Sequence, residues 1–170
     1  ALKNSRVDME ELLYDIGDRF GLMSENQGVK FHLERAEGCP LAYTNADRVE
    51  QISFILLDNA LKFTPEGGTI TLSADWNEDK ITLSVADTGC GISPEDLPHL
   101  FDRFYKVDKA HSGGGTGLGL SIANEIQTLM GEEIWAESEE GQGSVFRFTV
   151  QRYQPQRALE KEEPESKSEA

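Results

Sequence analysis

Apolar side chains at Met9, Leu12, Leu13, Ile16, Phe20 and Met23 fall on one stripe, the spacing of a helix with one buried face. Asp8 and Glu11 ahead of it form a capping-box pair, and Gly28 ends the region. Val29, Phe31 and Leu33 then alternate as in a strand. A second helix is predicted over Ala46–Phe63, capped by Asn45. Its inner face is Val49, Ile52, Leu56 and Ala60, and Pro65-Glu66-Gly67-Gly68 stops it. Two strands follow at Thr69–Trp76 and Lys80–Ala86, joined as a hairpin by Asn77-Glu78-Asp79. From Asp87 to Thr116 the pattern is irregular and rich in glycine; a loop that long inside a domain is functional or disordered. A third helix spans about Gly117–Met130, and a last hairpin pairs Glu133–Glu137 with Ser144–Val150 around Glu140-Gly141. Three helices over one face of a mixed, mostly antiparallel sheet of about five strands bury both apolar surfaces. The expected fold is α+β, a two-layer α/β sandwich. Residues 1–7 read as the end of a preceding segment, and 151–170, polar and almost without large apolar residues, as a disordered acidic tail.

Charge narrows the partners. The formal net charge of -15 repels nucleic acid and anionic lipid. An anionic ligand therefore needs local N–H donors, a cation or a metal. No apolar run reaches the length of a membrane span, which leaves open a tether elsewhere in a longer protein. Cys39 and Cys90 match no zinc spacing, and a chain of this size needs no disulfide staples, so a reducing, cytoplasmic setting is expected.

Three segments carry candidate chemistry. Asn59, Lys62 and Phe63 share a helix face: an amide oxygen suited to Mg²⁺, an ammonium suited to phosphate, and an aromatic ring. An ordinary solvated helix end reads the same way. Asp87-Thr88-Gly89-Cys90-Gly91-Ile92 follows a strand; its glycines open the backbone to a flat ligand, and Asp87 can accept from an exocyclic amine. A capped glycine turn is the alternative. Gly113-Gly114-Gly115-Thr116-Gly117-Leu118-Gly119-Leu120 feeds a helix N-terminus, where N–H groups and the helix dipole favour phosphate; a flexible linker is the alternative. The P-loop, Rossmann and His-Arg-Asp kinase signatures are all missing from the sequence.

In this order the segments resemble the ATP-binding catalytic domain of two-component sensor histidine kinases, in the gyrase/Hsp90/histidine-kinase/MutL superfamily, over residues 8–150. Leu56 to Pro65 resembles the N box, Asp87 to Ile92 the G1 box, Phe101 to Asp108 the F box and Gly115 to Leu120 the G2 box. The resemblance implies a Bergerat-type fold and two cofactors, ATP and Mg²⁺. It implies catalytic roles for Asn59, Lys62 and Lys106, with Asn59 the metal ligand. It implies nucleotide contacts from Asn59, Lys62, Phe63, Asp87, Gly89, Gly91, Ile92, Phe104, Tyr105, Thr116, Gly117, Leu118 and Gly119. Asp87 would accept the adenine amino hydrogen, and Gly91 would leave room for the ring. Residues 93–116 would form a mobile lid anchored by Phe101 and Phe104, with Lys106 reaching the γ-phosphate.

Hydrolytic members of the superfamily carry a Glu one helical turn before the Asn. Here that position is Ile55, which takes no proton; Glu50 and Asp58 point off that face. Transfer to a protein side chain is therefore expected instead of hydrolysis. His32, His99 and His111 lack the acidic neighbour of an acceptor histidine, so the acceptor is expected in an upstream dimerisation domain. A response regulator downstream and a homodimeric full-length protein complete the expected partners. A nucleotide-binding module without transfer, and a serine kinase of the anti-sigma-factor type, are the competing readings.

Overall fold

Register explains why one face of the main sheet is dry and the other wet. The computed structural model describes residues 3–105 and 118–155. Its main sheet comprises β2 (Lys30–Glu34), β4 (Thr69–Trp76), β5 (Lys80–Asp87), β6 (Ile134–Glu139) and β7 (Gly143–Gln151), in the order β2-β4-β5-β7-β6. Only β2 and β4 pair in parallel; the other neighbours are antiparallel. Leu72, Val85, Phe146 and Ala136 form one cross-strand row, and Ala74, Leu83, Phe148 and Ile134 another. These rows face the core. Alternate rows, such as Ser73, Ser84, Arg147 and Trp135, face the other way, as the two-residue period requires.

Helices α1 (Met9–Asn26), α2 (Ala46–Phe63) and α3 (Gly119–Leu129) pack with this sheet. α1 lies against β2 and α2, α2 against β4 and β5, and α3 against α2 and β6. The predicted caps form: Asp8 Oδ1 accepts from Glu11 N at 3.1 Å, and Asn45 Oδ1 from Arg48 N at 3.1 Å. Val49, Ile52, Leu56 and Ala60 are buried as the pattern required. Arg19 ties α1 to α2, pairing with Glu50 at 2.7 Å and lying 4.8 Å from the Phe54 ring centre.

Several expectations need correction. Met23 is 42% exposed; Ser24 takes the inward position four residues after Phe20, and its hydroxyl donates to Val29 O at 2.6 Å. Residues 5–7 are not merely an incoming tail: β1 (Ser5–Val7) pairs antiparallel with β3 (Ala42–Thr44) in a second, two-stranded sheet. Three-residue strands carry no readable periodicity. The ordered chain also runs past Val150. Gln151 belongs to β7, Arg152 bridges to Ala42, Tyr153 N donates to Leu41 O at 2.8 Å, and Gln154 donates to Glu78 O at 2.7 Å. Backbone hydrogen bonds hold Arg152 and Tyr153, and the side-chain Nε2 holds Gln154, with no apolar periodicity to announce them. No helix among the described residues is long and apolar enough to cross a membrane.

Candidate functional site

The C-terminal ends of α2 and β5, the start of α3 and the β6–β7 turn meet at one end of the fold. Ile81, Leu83 and Val85 occupy successive core-facing positions of β5, and Asp87 occupies the next, level with Ile70 and Ser144. A carboxylate therefore stands where the pattern calls for a hydrocarbon. Asp87 is 8% exposed. Burial pushes its pKa up, opposed by hydrogen bonds from the Gly89 and Ser144 backbone; the Gly89 N–H donates to Oδ1 at 2.9 Å. A buried carboxylate with capacity for further donors is an acceptor prepared for a ligand N–H.

Glycine at 89 is required by close packing. A Cβ there would collide with the Phe63 carbonyl oxygen, which accepts from Cys90 N at 3.4 Å. The turn after β5 thus hugs the end of α2. Gly91 has φ +73, and its open side is filled by the Glu139 carbonyl. The backbone of Glu139 and Glu140 lies where a Cβ on Gly91 would project, so a backbone approach by itself requires this glycine.

Sequence reasoning missed Ser138, Gly143 and Ser144. Ser138 Oγ accepts from Ile92 N at 2.7 Å and donates to Gly143 O at 2.9 Å, with Ser144 Oγ 3.0 Å away. Gly141 N donates to Cys90 O at 2.8 Å. Gly143 has φ +131, and a Cβ would collide with the Asp87 carbonyl. The one available signal was a second glycine closely following the Glu140-Gly141 turn, and it says nothing of which loop lies beneath.

On α2, Asn59 is half-buried, and its amide makes no hydrogen bond among the described residues. Lys62 is exposed and Phe63 half-buried. Burial raises the pKa of Asp58, and the nearby Lys62 charge opposes that shift. Ile55 lies across from α3: its Cγ2 would be 3.5 Å from a Cβ at Gly119. α3 begins after Leu118 with no side-chain cap and no acidic residue in its first turn. Among the described residues, its first N–H groups have no capping side chain, in a chain of net charge -15.

These features fit ATP and Mg²⁺. An uncommitted amide oxygen offers one hard ligand; Mg²⁺ keeps waters and takes its remaining ligands from phosphates. An all-protein cage is not needed, and no cluster of three or more His, Cys, Asp or Glu among the described residues offers one.

The segment after Ile92 departs from a uniform flap. Leu97–His99 forms a 3₁₀ turn, Leu100 is buried, and the Phe101 ring meets Phe146 edge-on at 6.3 Å between centres. Phe104 is not an apolar anchor: it is 59% exposed, has φ +67, and lies under the Arg103 guanidinium. Left-handed backbone at Phe104 turns its ring away from the core. Tyr105 donates its hydroxyl to Asp96. Lys106, Thr116 and Gly117 lie outside the described residues.

Comparisons with known proteins follow the same lines. Residues 44–154 match the family model for histidine kinase-, DNA gyrase B-, and HSP90-like ATPases. The chain is 42% identical over 137 residues to the sensor histidine kinase WalK of Bacillus subtilis (strain 168), covering 78% of this chain and 22% of WalK. It is 41% identical over 115 residues to the adaptive-response sensory kinase SasA of Synechococcus elongatus, covering 67% and 30%. It thus spans under a third of either relative. Among solved structures, the catalytic domain of histidine kinase ThkA aligns with TM-score 0.77 and 27% identity, over 88% of this chain and 98% of that one. Full-length ShkA in complex with AMPPNP aligns with TM-score 0.79 and 29% identity, over 90% and 32%. The chain belongs to the family of histidine kinase-, DNA gyrase B-, and HSP90-like ATPases, and its relatives there are the catalytic domains of sensor histidine kinases.

Proposed function

We propose that the chain is the ATP-binding catalytic domain of a sensor histidine kinase and delivers the γ-phosphoryl of ATP to a histidine on a separate dimerisation domain. The observation that carries transfer over hydrolysis is Ile55, a hydrocarbon packed towards Gly119 where a water-activating base would stand. Glu50 is committed to Arg19, and Asp58 lies about 100° round the helix from Asn59. Asp87 accepts the adenine amino hydrogen in its buried niche. Asn59 offers its amide oxygen to the metal, and Lys62 brings an exposed ammonium to the phosphates, with Lys106 as a second cation. The uncapped start of α3, with Thr116 and Gly117 before it, holds phosphate oxygens through N–H groups. Mg²⁺ held by Asn59 would supply charge neutralisation at the phosphates. The chain's own contribution is orientation, because phosphoryl transfer asks little covalent chemistry of the protein.

In the full protein the partners are its own upstream dimerisation domain and a downstream response regulator, with the kinase homodimeric. A solved complex of ThkA with the response regulator TrrA supports the second partner. The test mixes this chain with the isolated dimerisation domain and labelled ATP. The acceptor histidine should become labelled; ATP binding without labelling would sink the transfer reading.

A further inference from the structure

Tyr105 does not stand free beside the nucleotide site. Its hydroxyl donates to one oxygen of Asp96, whose other oxygen accepts from Ser93 Oγ at 2.9 Å. One carboxylate thus joins the first residue after Ile92 to a residue at the far end of the segment. Ser93 Oγ in turn accepts from Asp96 N at 3.3 Å. Inside the closure, the His99 ring lies 5.2 Å from the Tyr105 ring, His99 Nδ1 is 2.9 Å from Asp102 Oδ2, and Tyr105 N donates to Asp102 O at 3.2 Å. Leu100 and Phe101 pin the middle to the core. Phe104 takes its left-handed conformation immediately before Tyr105, a cost that persists only where surrounding contacts hold it. Ile92, at the base, is buried and bound through its N–H to Ser138, whose hydroxyl also reaches Gly143 O and the hydroxyl of Ser144, the strand neighbour of Asp87.

We propose that the Asp96–Tyr105 hydrogen bond is a positioning contact for nucleotide binding, folding residues 93–105 into a fixed wall that holds Ile92 and the Asp87 turn in place. Tyr105 and Asp96 are positioning residues in this account, and neither touches the nucleotide. The idea rests on the ATP reading above. The hydrogen bond holds Asp96 below the usual carboxylate range and pushes Tyr105 up. The contact is local and at the surface, so its loss changes the order of this segment and not the stability of the fold.

A double-mutant cycle on ATP affinity tests it, with the intact 170-residue chain. Tyr105→Phe keeps the ring and removes the hydroxyl; Asp96→Ala removes the acceptor. Each should weaken ATP binding about fivefold, the scale of one modest hydrogen bond. The double variant should be no worse than either single one, because the two residues act as a unit. Amide exchange over Leu100–Tyr105 should speed up in all three variants, with the thermal midpoint unchanged. Effects that multiply to about 25-fold, or a loss with Tyr105→Phe that Asp96→Ala does not share, would overturn the proposal in favour of direct contact. Unchanged affinity in both would overturn it as well. A wild-type chain that fails to bind ATP would remove the ATP reading and this proposal with it, whereas a wild type that binds ATP while the cycle fails would remove this proposal alone.

Discussion

The two ends of the main sheet treat their polar groups in opposite ways. At the end where β5 begins, Lys80 Nζ pairs with Glu132 at 2.5 Å, and Thr149 Oγ1 donates to the other Glu132 oxygen at 2.5 Å. Gln127 Nε2 donates to the carbonyls of Glu133 and Thr149 at 2.8 and 2.9 Å. Arg152 Nη1 reaches Asn77 O at 2.9 Å. Only Gln127 Oε1 is left over in that cluster among the described residues. At the end where β5 stops, among the described residues, the Asn59 amide is uncommitted and the start of α3 has no side-chain cap, and Asp87 keeps a raised pKa in a buried position. Paired groups stabilise the fold, whereas open ones cost it stability that a ligand restores.

Substitutions at the open end should therefore alter binding, and those at the closed end stability. The largest effect expected is from Asp87→Asn. Its amide is part donor where a full acceptor is needed, and ATP affinity should fall about 100-fold by calorimetry, the weight of a buried hydrogen bond to a charged group. If ATP and GTP affinities both stay unchanged, Asp87 does not read adenine.

Asn59→Ala comes next. It should weaken ATP about 30-fold in Mg²⁺ and leave binding in EDTA unchanged, since one metal ligand is lost. An equal loss in both conditions would remove the metal assignment. At the closed end, Glu132→Ala should lower unfolding free energy by about 2 kcal/mol, because Thr149 and Lys80 lose their shared partner. ATP affinity of the folded protein should not change; a parallel loss of binding would show that the two ends are coupled.

A smaller effect is expected on the pH dependence of stability without ligand. The folded pKa of Asp87 lies above its ordinary value of 3.8. Its contribution is fully favourable below that value and is lost as pH rises through the folded pKa. Without nucleotide, Asp87→Asn should thus be the more stable protein at pH 7 in urea titrations. The difference should shrink as pH falls through the folded value towards 3.8. A constant difference across pH would mean that the carboxylate is not penalised by burial. The smallest effect concerns the thiols. Burial pushes Cys39 up to about 11, while Cys90 is exposed on the turn after Asp87. One thiol should react rapidly with a thiol reagent at neutral pH and the other only on unfolding; two equal rates would contradict the assigned burial.

The chain's local signals located most of the scaffold. α2 begins and ends where its apolar period, the Asn45 cap and Pro65 place it. The strand pair β4 and β5 follows the alternation of its side chains, with one residue added. That added residue matters most, because Asp87 continues the inward row of β5 and so becomes buried. Legibility failed where a residue's role depends on a distant partner. The β1–β3 sheet and the bonds beyond Val150 form between backbones far apart in sequence. Phe104 and Tyr105 look alike as candidate ligand contacts, yet one ring is exposed and the other is engaged with Asp96.

The sequence by itself determined the limits of α2 and β4, the placing of Asn59 and Lys62 on one helical face, and the absence of a base at Ile55. Periodicity, caps and breakers are local, and local physics is written in neighbouring residues. Only the tertiary structure decided that Gly89 and Gly91 are glycine because Phe63 and Glu139 carbonyls press against them. It alone showed that Ser138 holds Ile92, that Gly143 leaves room for the Asp87 carbonyl, and that Asp96 holds Tyr105. Burial and hydrogen-bond partnership are set by which surfaces meet, and a pattern along the chain specifies only which faces are able to.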